Sequence, residues 1–181
     1  MTHSTKYFYK ICIVGDSEVG KTSIIQQYLS KRFLTNAERT IGSNFFVKYL
    51  QLPEVPHLIT LQVWDLAGQY HFKWVRRLFY KGAKGIIYVF DLMRKKSFND
   101  ILKWKGEVEK ILGIVPNILV GNKVDLINPE NKLFSDEEIN KMKDNVSALH
   151  YFETSAKFGN NIKQLFSTLA QELYNHYDKE D

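Results

Sequence analysis

A single cysteine, Cys12, stands in the 181 residues, so no intramolecular disulfide can staple the chain. Set within an apolar run, its expected role is that of a small buried hydrophobe. No apolar run approaches the roughly eighteen residues of a membrane-spanning helix. The N-terminal stretch MTHSTKYFYK lacks the apolar centre of a secretory signal, and the expected location is cytoplasmic. Five histidines, His3, His57, His71, His150 and His176, are scattered without the spacing of a metal cluster. Repeats, low-complexity tracts and linkers are missing too, which leaves one domain. A composition of 44% hydrophobic and 25% charged residues suits a globular protein with a real core.

The formal charge of +5 is mild. Basic residues bunch at Lys73, Arg76, Arg77, Lys81 and Lys84, then at Arg94, Lys95 and Lys96. They read as a solvated basic face, with an acidic partner or an anionic lipid surface as the sharper alternative. No nucleic-acid motif accompanies the charge, so no nucleic-acid partner is expected.

Several short apolar runs alternate with helix-period segments. YFYKICIVG reads as a first strand ending at Gly15, and KTSIIQQYLSKRF as the helix after it. NFFVKYLQL and LITLQVWD read as two strands joined by a turn at PEVPH. GIIYVFD and NILVGNK are almost wholly apolar, as strands covered on both faces are. Between them SFNDILKWKGEVEKIL has helical spacing, with Ser97 or Asn99 available as its cap. SDEEINKMKDNVSAL opens with a capping serine and acidic first-turn residues, HYFETSA is a last strand, and NIKQLFSTLAQELYNHY a closing helix. This order predicts an α/β domain with a mostly parallel sheet, whose ligands bind at the carboxyl ends of its strands.

One such end carries GDSEVGKTS. Its Gly-x-x-x-x-Gly-Lys-Thr pattern, with a strand before and a helix after, predicts a loop whose backbone N–H groups cradle phosphate. Gly15, Asp16, Ser17, Glu18, Val19, Gly20, Lys21, Thr22 and Ser23 make up the loop and its exit. Lys21 supplies a point charge to the terminal phosphates, and the Thr22 hydroxyl can ligate Mg²⁺. Glu18, a carboxylate inside a phosphate loop, is expected to give its N–H and turn its side chain outward to water. WDLAGQ supplies the matching second element: Asp65 can hold Mg²⁺ through a water, and Gly68 can bring its N–H to a γ-phosphate.

The base is selected by NKVD. The Asp125 carboxylate can accept both N1–H and the N2 amino group of guanine, a bidentate pairing that adenine cannot make. Lys123 can lay its alkyl stem along the ring, and Asn122 is expected to tie this segment to the phosphate loop. In TSAK, Ser155 is placed to brace Asp125, Ala156 to offer an N–H to the guanine O6, and Lys157 closes the segment. A P-loop ATPase or small-molecule kinase fits poorly with NKVD and with the lack of an obvious acceptor-binding lid.

With GDSEVGKT, RTIGSNF, WDLAGQ, FYKGAKGIIYVFDL, GNKVD and ETSAK in this order, residues 7–177 resemble the Ras superfamily of small GTPases, its Rab-like branch most closely. Residues 1–6 and 178–181 are expected to be flexible tails. The resemblance implies a P-loop NTPase fold of the small G-domain type, with a six-stranded mixed sheet and five helices on both faces. It also implies GTP or GDP bound with Mg²⁺. Thr40 matches the switch threonine that ligates Mg²⁺ and the γ-phosphate, Phe33 the aromatic edge against guanine, and Gln69 the residue that orients attacking water. Phe45, Trp64 and Phe79 match an aromatic triad shown to effectors, with exchange factors and GTPase-activating proteins as further partners of a monomer. No cis arginine finger is evident, so slow intrinsic hydrolysis is expected. The alternative is a GTP-binding interaction module that scarcely turns over.

Departures from the family pattern are Ala37, Arg39, Leu66, Tyr70 and His71. The closing ELYNHYDKED has no cysteine to prenylate. Either the native tail is longer, or no lipid anchor is used. Membrane contact through the basic residues alone would be weak and salt-sensitive.

Overall fold

Alternation in the sheet sorts its side chains into two cores. Ile11 and Ile13 on β1 (Thr5–Val14) face one side, Cys12 and Val14 the other. The computed structural model describes residues 5–30, 42–69 and 73–179; Phe33, Ala37, Arg39, Thr40, Tyr70 and His71 lie outside them. Strand β1 starts at Thr5, ahead of the domain start expected at Tyr7.

The remaining elements are α1 (Lys21–Ser30), β2 (Ser43–Leu50), β3 (Leu58–Leu66), α2 (Lys73–Tyr80), β4 (Gly85–Asp91), α3 (Lys95–Asn99), α4 (Ile101–Leu112), β5 (Asn117–Asn122), α5 (Asp136–Asn145), β6 (His150–Thr154) and α6 (Ile162–Tyr177). Asp100, with helical angles of φ −75° and ψ −8°, joins α3 and α4 into one arm, so five helical bodies flank the sheet. The strands run β2-β3-β1-β4-β5-β6, with β2 and β3 antiparallel and every other pair parallel. This is the six-stranded mixed α/β sheet expected. β4 and β5 are buried along their whole length, which is why their sequences are apolar at every pleat.

On one face α1 and α6 bring Ile24, Ile25, Leu165, Phe166 and Leu169 onto Ile11, Ile13, Val63 and Val89. On the other, Tyr80, Ile101, Trp104, Val108 and Met142 cover Cys12, Val14, Tyr88 and Phe90. Between β2 and β3, residues 51–57 fold back on themselves: Leu52 and Val55 enter the first core, and Gln51 Nε2 donates to the Val55 carbonyl at 2.7 Å. Ser135 caps α5 in a reciprocal box with Glu138, as the sequence predicts.

Three expectations need correction. Neither Ser97 nor Asn99 caps a helix: α3 already begins at Lys95, and the buried Ser97 hydroxyl turns back to donate to the Arg94 carbonyl at 2.7 Å. Helix α2 is missing from the sequence reading, because the basic residues of KWVRRLFY read as part of a charge run. The basic run is also not one solvated face. Arg76 is buried, Lys84 lies 4.2 Å from the ring of Tyr177, and Arg94 and Lys96 turn to the loop after β1.

Cys12 is fully buried, and burial pushes its thiol up to about 12, against a small opposing pull from Lys10. The reactive thiolate is therefore suppressed at neutral pH. Alkylation of Cys12 at pH 8 is expected only as the chain unfolds, so labelling across a urea titration should track the loss of circular dichroism. Rapid labelling of the native protein would contradict this burial.

Candidate nucleotide site

Residues 15–23 run from the end of β1 into α1. Gly20 has φ +99°, and a Cβ there would lie 2.2 Å from Asn122 Nδ2, so only glycine fits. Glu18 also takes a left-handed conformation, φ +67°, which costs a residue with a Cβ about 1–2 kcal/mol. Its side chain is half exposed and turned outward, as the sequence reading expects, but toward Arg94 Nη1 at 4.0 Å as well as toward water. Val19 gives its side chain to the first core and leaves only its backbone at the loop.

Lys21 is buried inside the loop it follows. Its Nζ donates to the carbonyls of Gly15 and Asp16, each at 2.8 Å. Burial lowers its pKa to about 8, while Asp65 and Asp16 pull it partly back. An ammonium buried against two neutral carbonyls gains from added negative charge, which is what a polyphosphate supplies.

Next to it the Thr22 hydroxyl donates to the Asp65 carboxylate at 2.5 Å. A hydroxyl and a fully buried carboxylate are hard oxygen donors suited to Mg²⁺. Among the described residues no group of three or more His, Cys, Asp or Glu could hold a metal alone, so this pair would need oxygens from a phosphate and water. Just beyond, a Cβ on Gly68 would lie 2.4 Å from the Ser17 nitrogen, so β3 ends against the phosphate loop with room for nothing larger. Leu66 packs into the second core.

Gln69 follows. Its carbonyl and that of Ala67 both accept from Arg76 Nη1, at 2.7 and 2.9 Å, and its side-chain Oε1 is buried without a hydrogen-bond partner among the described residues. Arg76 is in turn gripped by Glu107 on α4 through Nε (2.8 Å) and Nη2 (3.1 Å), and Tyr80 donates to the same carboxylate. Its guanidinium lies 4.5 Å from the ring centre of Trp104, whose Nε1 donates to Asp16 of the loop at 2.9 Å. Sequence reasoning missed this set. The one available signal was the spacing that puts Arg76 and Tyr80 on the same side of a helix.

On the base side, Asn122 Nδ2 donates to the Val19 carbonyl at 2.9 Å, while its Oδ1 accepts from Thr154 Oγ1 at 3.0 Å and from the Ala156 N–H at 3.3 Å. The Ala156 N–H read as a guanine contact is thus directed at Asn122 here. Ser155 Oγ donates to Asp125 Oδ1 at 2.6 Å, and Asp91 holds the Lys123 ammonium at 2.6 Å. Lys157 is exposed, with its ammonium 5.1 Å from the Phe158 ring. Phe33 and Thr40 lie outside the described residues, and Ser23 sits in the first turn of α1. On the sheet, Phe45 stacks on Trp64 at 5.2 Å and Trp64 meets Phe79 at 5.3 Å, an aromatic row with Phe45 exposed.

A loop of this form at the carboxyl end of β1, with the NKVD and TSAK segments at the ends of β5 and β6, defines a P-loop domain of the small G type. The Ras family model matches residues 10–175. Similar proteins include the Ras-related protein RABG3f of Arabidopsis thaliana and the Ras-related protein Rab7 of Pisum sativum, each 34% identical over 95% of this chain and 85% of the relative. The Ras-related protein RIC1 of Oryza sativa subsp. japonica is 35% identical over 93% of this chain and 82% of its own. The chain belongs to the Ras family, as a Rab-like small GTPase of the Ras superfamily.

Replacing Arg76 by Ala strands the buried Glu107 carboxylate and frees two backbone carbonyls, so it should cost about 3–5 kcal/mol of stability. The double replacement Arg76→Met with Glu107→Met should recover most of that loss. Urea unfolding checks both, and equal losses in the single and double variants would deny the pairing its weight.

Proposed function

We propose that this chain is a guanine-nucleotide switch that binds GTP and GDP with Mg²⁺, hydrolyses GTP slowly as a monomer, and reports its state through the partners it binds. The observation that carries this reading is the Asn122 carboxamide. By bonding Val19 on one side and the segment of Thr154 and Ala156 on the other, it joins the proposed phosphate loop to the segment whose Ser155 holds Asp125, the proposed guanine-reading carboxylate.

In this reading Asp125, oriented by Ser155, accepts from guanine N1 and N2, and Lys123 lies along the base with its ammonium anchored on Asp91. Ala156 offers its N–H to O6 once that N–H leaves Asn122. The backbone N–H groups of residues 16–21 and the Lys21 ammonium take the phosphates and the charge that builds toward the β–γ bridge. Thr22 and, through a water, Asp65 would hold Mg²⁺, which would supply further charge neutralisation when bound; Thr40 is the proposed third oxygen donor and Phe33 the aromatic edge against the base. Gln69 aligns the attacking water, and Gly68 gives its N–H to the γ-phosphate. Loss of that phosphate releases the segments around Thr40 and Gly68, and the Phe45, Trp64 and Phe79 row offers the readable surface for effectors and regulators.

A second reading, a GTP-bound interaction module with little turnover, is favoured by one observation: the backbone of Gln69 is pinned by Arg76 while its Oε1 is buried. Among the described residues no helix is long and apolar enough to cross a membrane. Contact with a membrane surface would then fall to the tail or to exposed basic side chains.

Single-turnover GTP hydrolysis separates the two readings. Under the first, Gln69→Leu should slow the wild-type rate at least about tenfold, and equal rates would favour the locked module. Lys21→Met should weaken GTP binding by about 10² or more while changing the ligand-free melting temperature little, because removing a buried charge offsets the two carbonyls left without a donor. Isothermal titration and a thermal melt check this pair of outcomes. Unaltered affinity would remove Lys21 from the site.

A further inference from the structure

Three residues of the phosphate loop are held from outside by the arm that follows β4. Trp104 Nε1 donates to Asp16 at 2.9 Å, Lys96 Nζ lies 3.5 Å from the same carboxylate, and Arg94 Nη2 donates to the Ser17 carbonyl at 2.6 Å with Nη1 4.0 Å from Glu18. Arg94 stands on a fixed base: its N–H is bonded to the Asp91 carbonyl at 2.9 Å, and its own carbonyl accepts from the N–H and hydroxyl of Ser97 at 3.0 and 2.7 Å.

We propose that Arg94 is a positioning residue for the phosphate loop, pinning Ser17 and answering the Glu18 carboxylate so that bound nucleotide is released slowly. The inference rests on the guanine-nucleotide reading above. The Arg94–Glu18 pair is partly exposed, with 34% and 53% of the two side chains accessible, so its Coulomb contribution is modest. The charge-assisted bond to a loop carbonyl is the stronger element, since a hydrogen bond from an ionised donor outweighs a neutral one. That bond acts where the chain needs it, beside the left-handed Glu18, a conformation that other backbones of the loop would escape if the loop opened. With Arg94 in place, the Glu18 carboxylate has a cation 4.0 Å away.

Release of a fluorescent GDP analogue from the whole chain, chased with excess GDP, tests this with wild type, Arg94→Ala, Arg94→Gln, Arg94→Lys, and Arg94→Ala combined with Glu18→Gly. Arg94→Ala should speed release about tenfold, equivalent to about 1.4 kcal/mol, with no matching fall in the ligand-free melting temperature. Arg94→Lys should restore part of the slow release and Arg94→Gln less, which keeps the test alive if the alanine variant fails to fold. Removing Glu18 as well should recover part of the alanine effect. Release within twofold of wild type in every variant would overturn the proposal, as would unchanged release with slowed hydrolysis, which would put the guanidinium on the phosphate itself. If wild type fails to bind GDP, the proposed function falls and this inference with it; tight wild-type binding with unaltered variants sinks this inference alone.

Discussion

One side-chain amide joins the segments from which the candidate site is built. Asn122 leaves the end of a buried strand and spends both ends of its carboxamide on neighbours far away in sequence: the carbonyl of Val19, the hydroxyl of Thr154 and the N–H of Ala156. The amide thus joins the loop after β1 to the end of β6 and the residues that follow it, and a ligand spanning segments already joined loses less freedom in ordering them. The amide is itself buried, so its bonds form in a medium where leaving one unmade is expensive. Gly20 follows from this, because a side chain there would occupy the space the amide needs.

Around that joint the loop is charged but short of counter-charge. Lys21 is buried against carbonyls and its proton affinity is depressed by the burial. Folding tolerates this because the strands on either side of β1 hold the loop in place whatever the lysine prefers. Under the proposed function, this lysine serves binding at a cost to stability.

Much of this was legible in the sequence because the relevant signals are local. The apolar runs of β4 and β5 declare strands covered on both faces, Ser135 with Glu138 announces a helix start, and the phosphate loop carries its own glycine and lysine spacing. What could not be read depends on partners distant in the chain. Arg76 looks like surface charge until Glu107 is brought against it by α4, and helix α2 is hidden because its burial rests on that pairing. Ser97 has the composition of a cap, but the tight turn at residues 91–94 starts the helix earlier and turns the hydroxyl inward. Arg94 reaches Ser17 across 77 positions, a contact that no spacing rule anticipates.

Trp104 touches both halves of this arrangement with different parts of one ring. Its edge, through Nε1, is bonded to the phosphate loop at Asp16, and its face carries the Arg76 guanidinium that grips the Ala67 and Gln69 carbonyls. An indole in that position is a built-in optical probe: a hydrogen-bonded carboxylate and a stacked cation both tune its emission. Displacement on either side of the site therefore reaches the same ring, one of three tryptophans in the chain.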